Sequence, residues 1–309
     1  MLKVFAHKTP DTDATCSPIV YAWYLSEKMG QEAEAFISGK PNKEALFVLD
    51  KFDIELPAQL DELTDKDRIV VVDTNNPEEL PDGVSDAEIV EIIDHHKLVG
   101  GLSTDSPIRI TIKPIACTAT IVWQRMQEDD NHDIEPKMAG LLLSAILSDT
   151  LKFSSPTTTD EDKTAAEELA EIADENIDSL ADEMFAAKSD LTGFGAEDIL
   201  LTDSKVFDMA GKKVRISVLE TTLPENAIKL KGDLIESMEA LKKKERLDAI
   251  FFFIVDIMNT AADLVVSADM EMDIAERAFE GVFKSGVMHL DGVVSRKKQM
   301  SPNIEKAIG

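Results

Sequence analysis

Up to Lys188, short apolar runs alternate with longer amphipathic ones, the pattern of strands feeding helices. Residues 2–6, 33–38, 68–72, 88–93 and 108–112 read as strands. The run Ile69-Val70-Val71-Val72 has no polar face, as a strand buried on both sides of a parallel sheet requires. A helix is predicted on the face made by Ile19, Val20, Trp23, Tyr24 and Leu25, with Gly30 as its stop. Further helices are predicted over 43–52, 118–126, 137–147, 161–174 and 177–188. The Thr157-Thr158-Thr159-Asp160 stretch supplies an N-cap for the fifth of these six helices. The alternation predicts a doubly wound, mainly parallel α/β domain over residues 1–188.

Periodicity lapses at residues 189–195, where Gly193 and Gly195 mark a candidate hinge linker. Residues 196–309 then restart as a smaller α/β domain. Strands are expected at 199–207, 213–219, 249–257 and 262–267, with helices at 224–245 and 274–284. The Met258-Asn259-Thr260-Ala261 connection is short enough for a hairpin, so this second sheet is expected to be mixed.

The 309 residues are 44% hydrophobic, enough for real cores, and no apolar run approaches the roughly 18 residues of a membrane span. His7 arrives too early for a signal-peptide core, which predicts a cytoplasmic protein. Cys16 and Cys117 form no CxxC pattern and read as packing residues. The formal net charge of −28 disfavours nucleic acid and anionic membranes as partners. A small anionic substrate would need a local pocket of cations against that field.

Polar clusters fall just past the predicted strand ends, where open α/β sheets bind ligands. The run 88–93 ends in Asp94-His95-His96; the first strand leads to His7, Asp11 and Asp13; the third ends in Asp73; a nearly all-apolar helix arrives at Asp149. Imidazole with carboxylate suits a first-row ion such as Mn²⁺, Co²⁺ or Zn²⁺ better than calcium. Any single aspartate among these reads more readily as a turn or capping residue than as a ligand; the adjacent histidines and the joint placement carry the metal reading. His132, within an acidic stretch, reads as a solvated loop histidine, and His289 as a core or supporting residue. Lys242-Lys243-Lys244 suits a helix C-terminus without any ligand.

His7-x3-Asp11-x-Asp13, Asp73 after a hydrophobic strand, Asp94-His95-His96 and Ser295-Arg296-Lys297-Lys298-Gln299 together resemble the family II inorganic pyrophosphatases of the DHH phosphoesterase superfamily. The resemblance runs nearly the whole length, and the basic stretch narrows it from superfamily to family. It implies two transition-metal ions, Mn²⁺ or Co²⁺ preferred, sharing Asp73. His7 and Asp11 would complete one position, and Asp13, His95 and Asp149 the other. His96 would face substrate, while Lys205, Arg296 and Lys297 would hold phosphate. The implied reaction is hydrolysis of pyrophosphate, carried with Mg²⁺, by a metal-bridging hydroxide in a site that closes between the domains. A homodimer is implied as well. The family commonly has Asn where Thr9 stands, and His-Asn-Glu where this chain has Thr74-Asn75-Asn76. Two alternatives are weighed: another DHH phosphoesterase acting on oligonucleotides, cyclic dinucleotides or polyphosphate, and a metal-holding module without turnover.

Overall fold

Ile69 to Val72 are buried because β3 (Arg68–Val72) lies in the middle of a five-stranded sheet. Its neighbours are β1 (Leu2–Phe5) and β4 (Glu88–Asp94), with β2 (Ala33–Ala35) and β5 (Arg109–Ile112) at the edges. Every pairing is parallel, in the order β2-β1-β3-β4-β5. Strand order therefore reverses between β1 and β3, which opens a crevice at the carboxyl ends of the two. The computed structural model describes residues 1–128 and 133–309; His132 lies outside them.

The chain forms two compact units, Met1–Ala187 and Lys188–Gly309. In the first, α1 (Thr12–Trp23) begins at Asp11, whose carboxylate accepts the Ala14 N–H at 3.0 Å. It continues as a π turn to Lys28, and Gly30 follows with φ +63°, a left-handed value that glycine adopts without strain. Helix α2 (Lys43–Lys51), α3 (Thr118–Gln127), α4 (Pro136–Asp149), α5 (Asp160–Ala173) and α6 (Ile177–Lys188) follow. The α4 positions from Met138 to Ser148 are all buried, as a run with only Ser144 and Ser148 polar predicts. Thr159 and Asp162 cap α5 reciprocally. Cys16 and Cys117 are both free and buried.

The second unit has a mixed sheet in the order β10-β9-β8-β7-β6. Its strands are β6 (Asp203–Met209), β7 (Lys212–Thr221), β8 (Ala249–Asp256), β9 (Ala261–Val265) and β10 (Met288–Asp291). Only β7 and β8 pair in parallel; β8 and β9 form the expected hairpin. The single strand expected at 199–207 is instead helix α7 (Ala196–Leu201) followed by β6. Asp198 accepts the Gly195 N–H at 2.9 Å and starts a helical turn that buries Ile199 and Leu200. The long helix read over 224–245 is divided at Leu230 into α8 (Pro224–Lys229) and α9 (Lys231–Glu245). Helix α10 (Asp269–Phe279) starts earlier than the expected 274 because the Glu271 carboxylate accepts the Ser267 and Ala268 N–H groups, each at 2.9 Å. Strand β10 and α11 (Ser301–Ile308) have no counterpart in the sequence reading. His289 is not in the core: it is exposed on β10 and paired with Asp263 at 2.8 Å.

Candidate metal centre

Three strand ends and one helix end converge at the crevice. His7 follows β1, Asp73 follows β3, His95 and His96 follow β4, and Asp149 closes α4. His7, Asp11 and Asp73 form one group with ligand atoms within 4.8 Å of one another, and Asp13, His95 and Asp149 form a second. Asp73, His95 and His96 form a third on the same criterion. Asp73 is the hinge of the arrangement, with Oδ2 lying 3.5 Å from His7 Nε2 and Oδ1 3.4 Å from His95 Nε2. It has φ +62°, a conformation costly for a residue with a Cβ and typical of functional turns. Its N–H is held by the Ile93 carbonyl at 2.8 Å.

Three of the donors, His95, Asp13 and Asp73, are oriented from behind. His95 Nδ1 lies 3.2 Å from the Ile115 carbonyl, which selects the tautomer that turns Nε2 toward Asp73. Asp13 is fully buried; it accepts the Thr118 N–H at 2.7 Å, the Ala119 N–H at 3.1 Å and the Ser17 hydroxyl. The first two donors open α3, so the positive end of that helix faces the carboxylate. Thr118 Oγ1 donates to Asp73 at 3.0 Å. Buried Glu44 accepts hydroxyls from Thr12 (2.7 Å) and Ser148 (2.6 Å), bracing the residues beside Asp11, Asp13 and Asp149. Beyond Asp149, Leu151, Lys152 and Phe153 all have left-handed backbones, each costing about 1–2 kcal/mol.

The electrostatics call for cations. Burial, together with Asp73, pushes the Asp13 carboxyl up to about 7. Burial and the charges of Asp13, Asp11 and Asp73 raise Asp149 well above the usual carboxylate range. Burial alone would also raise Asp73, but the bonds from His7 and His95 outweigh it and hold that carboxyl low. The two histidines are raised in exchange, against the effect of burial. Nδ1 of His7 is buried with no hydrogen-bond partner among the described residues. Carboxylates crowded this closely fit divalent ions, which relieve both repulsion and burial. The mixed imidazole and carboxylate set suits first-row metals.

His96 differs from its neighbour. Its Nδ1 is 2.9 Å from Asp94 Oδ1, and the ring is half exposed. The remaining predicted residues belong to the second unit. Lys205 Nζ lies over the Phe207 ring at 5.6 Å, and Arg296 donates to Asp203 at 2.7 Å. Lys297 sits with Arg296 in a π turn whose start is capped by the Ser295 hydroxyl, which accepts the Lys298 N–H. Thr118, Ser17, Glu44 and Asp203 are absent from the sequence reading. No local motif marks Thr118 or Glu44, because their bonds span 105 and 104 residues of chain, whereas Ser17 lies one helical turn after Asp13.

A sheet whose strand ends hold Asp94-His95-His96 beside clustered aspartates defines a DHH-type metal-dependent protein. The DHH family N-terminal domain matches residues 2–146 and the DHHA2 domain residues 182–307. Curated relatives match end to end. A protein named "Probable manganese-dependent inorganic pyrophosphatase" from Staphylococcus haemolyticus is 35% identical over 99% of this chain and 98% of its own. One of the same name from Deinococcus radiodurans is 38% identical over 99% and 98%. A solved structure, "Crystal structure of Methanococcus jannaschii putative family II inorganic pyrophosphatase", shares 36% identity and a TM-score of 0.66, covering 99% of both chains. An exopolyphosphatase-related protein from Bacteroides fragilis shares the fold at 16% identity and a TM-score of 0.52. The chain belongs to the family II, manganese-dependent inorganic pyrophosphatases.

Proposed function

We propose that this protein hydrolyses inorganic pyrophosphate to two phosphates with two divalent ions that share Asp73. The observation that carries the reading is Asp73 itself, whose two carboxylate oxygens face two separate His/Asp groups. His7 and Asp11 would hold one ion; Asp13, His95 and Asp149 would hold the other. Mn²⁺ or Co²⁺ suits these donors, and Mg²⁺ would enter with substrate. Bound there, divalent ions neutralise phosphoryl oxygens and acidify water to a usable nucleophile near neutral pH.

The protein's own groups do the rest. Asp94 engages Nδ1 of His96 and raises the ring's pKa, so the ring can carry a second proton on Nε2 and present it to a phosphoryl oxygen as donor or acid. Lys205 and Lys297 supply point charges, and Arg296 supplies a planar fork for two phosphoryl oxygens. These three are needed because the chain is otherwise strongly acidic. Residues 1–188 would act as the metal domain and 196–309 as the substrate domain, with 189–195 as hinge and the site closing between them. Assembly as a homodimer belongs to the same proposal. Among the described residues no helix is long and apolar enough to cross a membrane.

The test is a substrate panel in Mn²⁺: pyrophosphate, a cyclic dinucleotide, a short oligonucleotide and polyphosphate. Two phosphates released per pyrophosphate, with turnover of the others far slower, is the expected result. Preference for a nucleotide would move the protein to another DHH activity, and no turnover of any would leave a metal-holding module.

A further inference from the structure

The DHH triplet is gripped by a residue from the neighbouring strand end. Asn75 is 3% exposed and lies two residues past Asp73. Its amide nitrogen donates to Asp94 Oδ2 and to the Lys97 carbonyl at 3.0 Å, and its amide oxygen accepts the Val99 N–H at 2.8 Å. This pattern fixes which way the amide faces. Flipped, its oxygen would meet a carboxylate and a carbonyl while its nitrogen met an N–H, three repulsive contacts in place of three bonds. Asp94 is wholly buried, and its other oxygen serves His96 twice: it accepts the backbone N–H at 3.0 Å and pairs with Nδ1 at 2.9 Å. One side chain therefore ties down the carboxylate that aims the His96 ring and also the backbone at Lys97 and Val99 just after it.

We propose that Asn75 is a positioning residue for His96, acting through Asp94 and through the 97–99 backbone. The inference rests on His96 facing substrate, as proposed above. Asp94 alone can rotate about its side-chain bonds, and a buried carboxylate with one side unpaired recruits water or shifts to find a donor. With Asn75 on Oδ2, its plane is fixed, and so is the direction from Oδ1 to the imidazole. Asn75 and Asp73 leave β3 on the same short turn, so the residue that the two metal groups share and the residue that aims the acid are set by one piece of backbone. A misplacement on the order of 1 Å at a reacting group can cost about a hundredfold in rate.

The experiment compares Asn75→Ala in two backgrounds, wild type and His96→Gln, in the manganese-loaded protein with pyrophosphate. In the wild-type background kcat should fall by roughly ten- to a hundredfold, with KM changed less than about threefold and bound manganese unchanged. In the His96→Gln background the same substitution should cost less than about threefold, because the ring it positions is gone. Equal losses in both backgrounds, or loss of manganese, would overturn the proposal and make Asn75 a structural or metal-supporting residue. If the alanine variant does not fold, Asn75→Ser, which keeps a small donor, carries the same comparison.

A second readout is independent of turnover. Amide hydrogen exchange at His96 and Val99 should accelerate at least about tenfold in the variant, while amides of β3 remain protected. Unchanged protection at His96 would contradict the clamp. Wild-type protein inactive on pyrophosphate, with exchange behaving as expected, would remove the functional reading and leave the clamp standing.

Discussion

Thr118 donates its hydroxyl to Asp73 at 3.0 Å, while its backbone N–H goes to Asp13 at 2.7 Å. One residue at the start of α3 thus fixes a carboxylate in each of two candidate metal groups. Thr118→Val keeps the shape and the backbone bond but removes the hydroxyl. Manganese affinity should fall roughly ten- to a hundredfold, as for other groups that orient metal ligands, with little change in thermal stability. Isothermal titration of the metal-free variant checks this. Unchanged affinity would mean that the hydroxyl has no part in holding Asp73.

Asp73→Ala should remove both metal positions together, because Asp73 is common to the His7/Asp11 group and the group containing His95. Metal analysis after dialysis should find less than one tightly held ion per chain. One ion retained at wild-type affinity would exclude the shared role.

Metal uptake should release protons. In the metal-free protein burial works against a charged His95, but its bond to Asp73 and the charges of Asp13 and Asp73 raise it to about 9. Burial and Asp73 raise Asp13 to about 7. Both pKa values lie above their ordinary ranges, so both sites are largely protonated at mildly acidic pH, and a cation must displace those protons. Apparent Mn²⁺ affinity should therefore rise with pH through about 7 and on toward about 9, and fall on acidification. Titrations in buffers of different ionisation enthalpy measure the protons released; affinity independent of pH would contradict this account.

Gly39 packs against the loop that carries His7 and Asp11. A Cβ built at Gly39 would sit 2.1 Å from the Lys8 carbonyl oxygen, so Gly39→Ala must push that loop aside. Overpacking of this kind costs about 1–3 kcal/mol. A lower melting temperature together with weaker binding of one manganese ion is expected. Wild-type affinity for both ions would show that the loop yields without disturbing its ligands.

The proposed metal donors are legible where they lie at the end of a run whose apolar pattern is itself legible. Asp73 follows Ile69–Val72, and His95 follows Ile92 and Ile93. Thr118, Glu44 and Asn75 are not, because what singles them out is a bond made across the fold. The departures Thr74 and Asn76 show the same limit. Thr74 donates to Glu79 at 3.1 Å and Asn76 accepts the Glu78 N–H at 3.2 Å, so both bond within their own loop. Asn75 between them reaches Asp94. In the second unit Ile199-Leu200-Leu201 fits a strand by sequence because three apolar residues have no period, and the capping contact at Gly195 decides for a helix. Strand β10 has only four residues, too few for an alternation to stand out.

On the proposed reading, two ions gathered around Asp73 turn over pyrophosphate. Mn²⁺ added stepwise to metal-free protein, with bound metal and phosphate release followed together, tests it most directly. Release of phosphate from pyrophosphate should climb until two ions per chain are held and then level off. Full activity with one ion bound, or two ions bound without phosphate release, would contradict it.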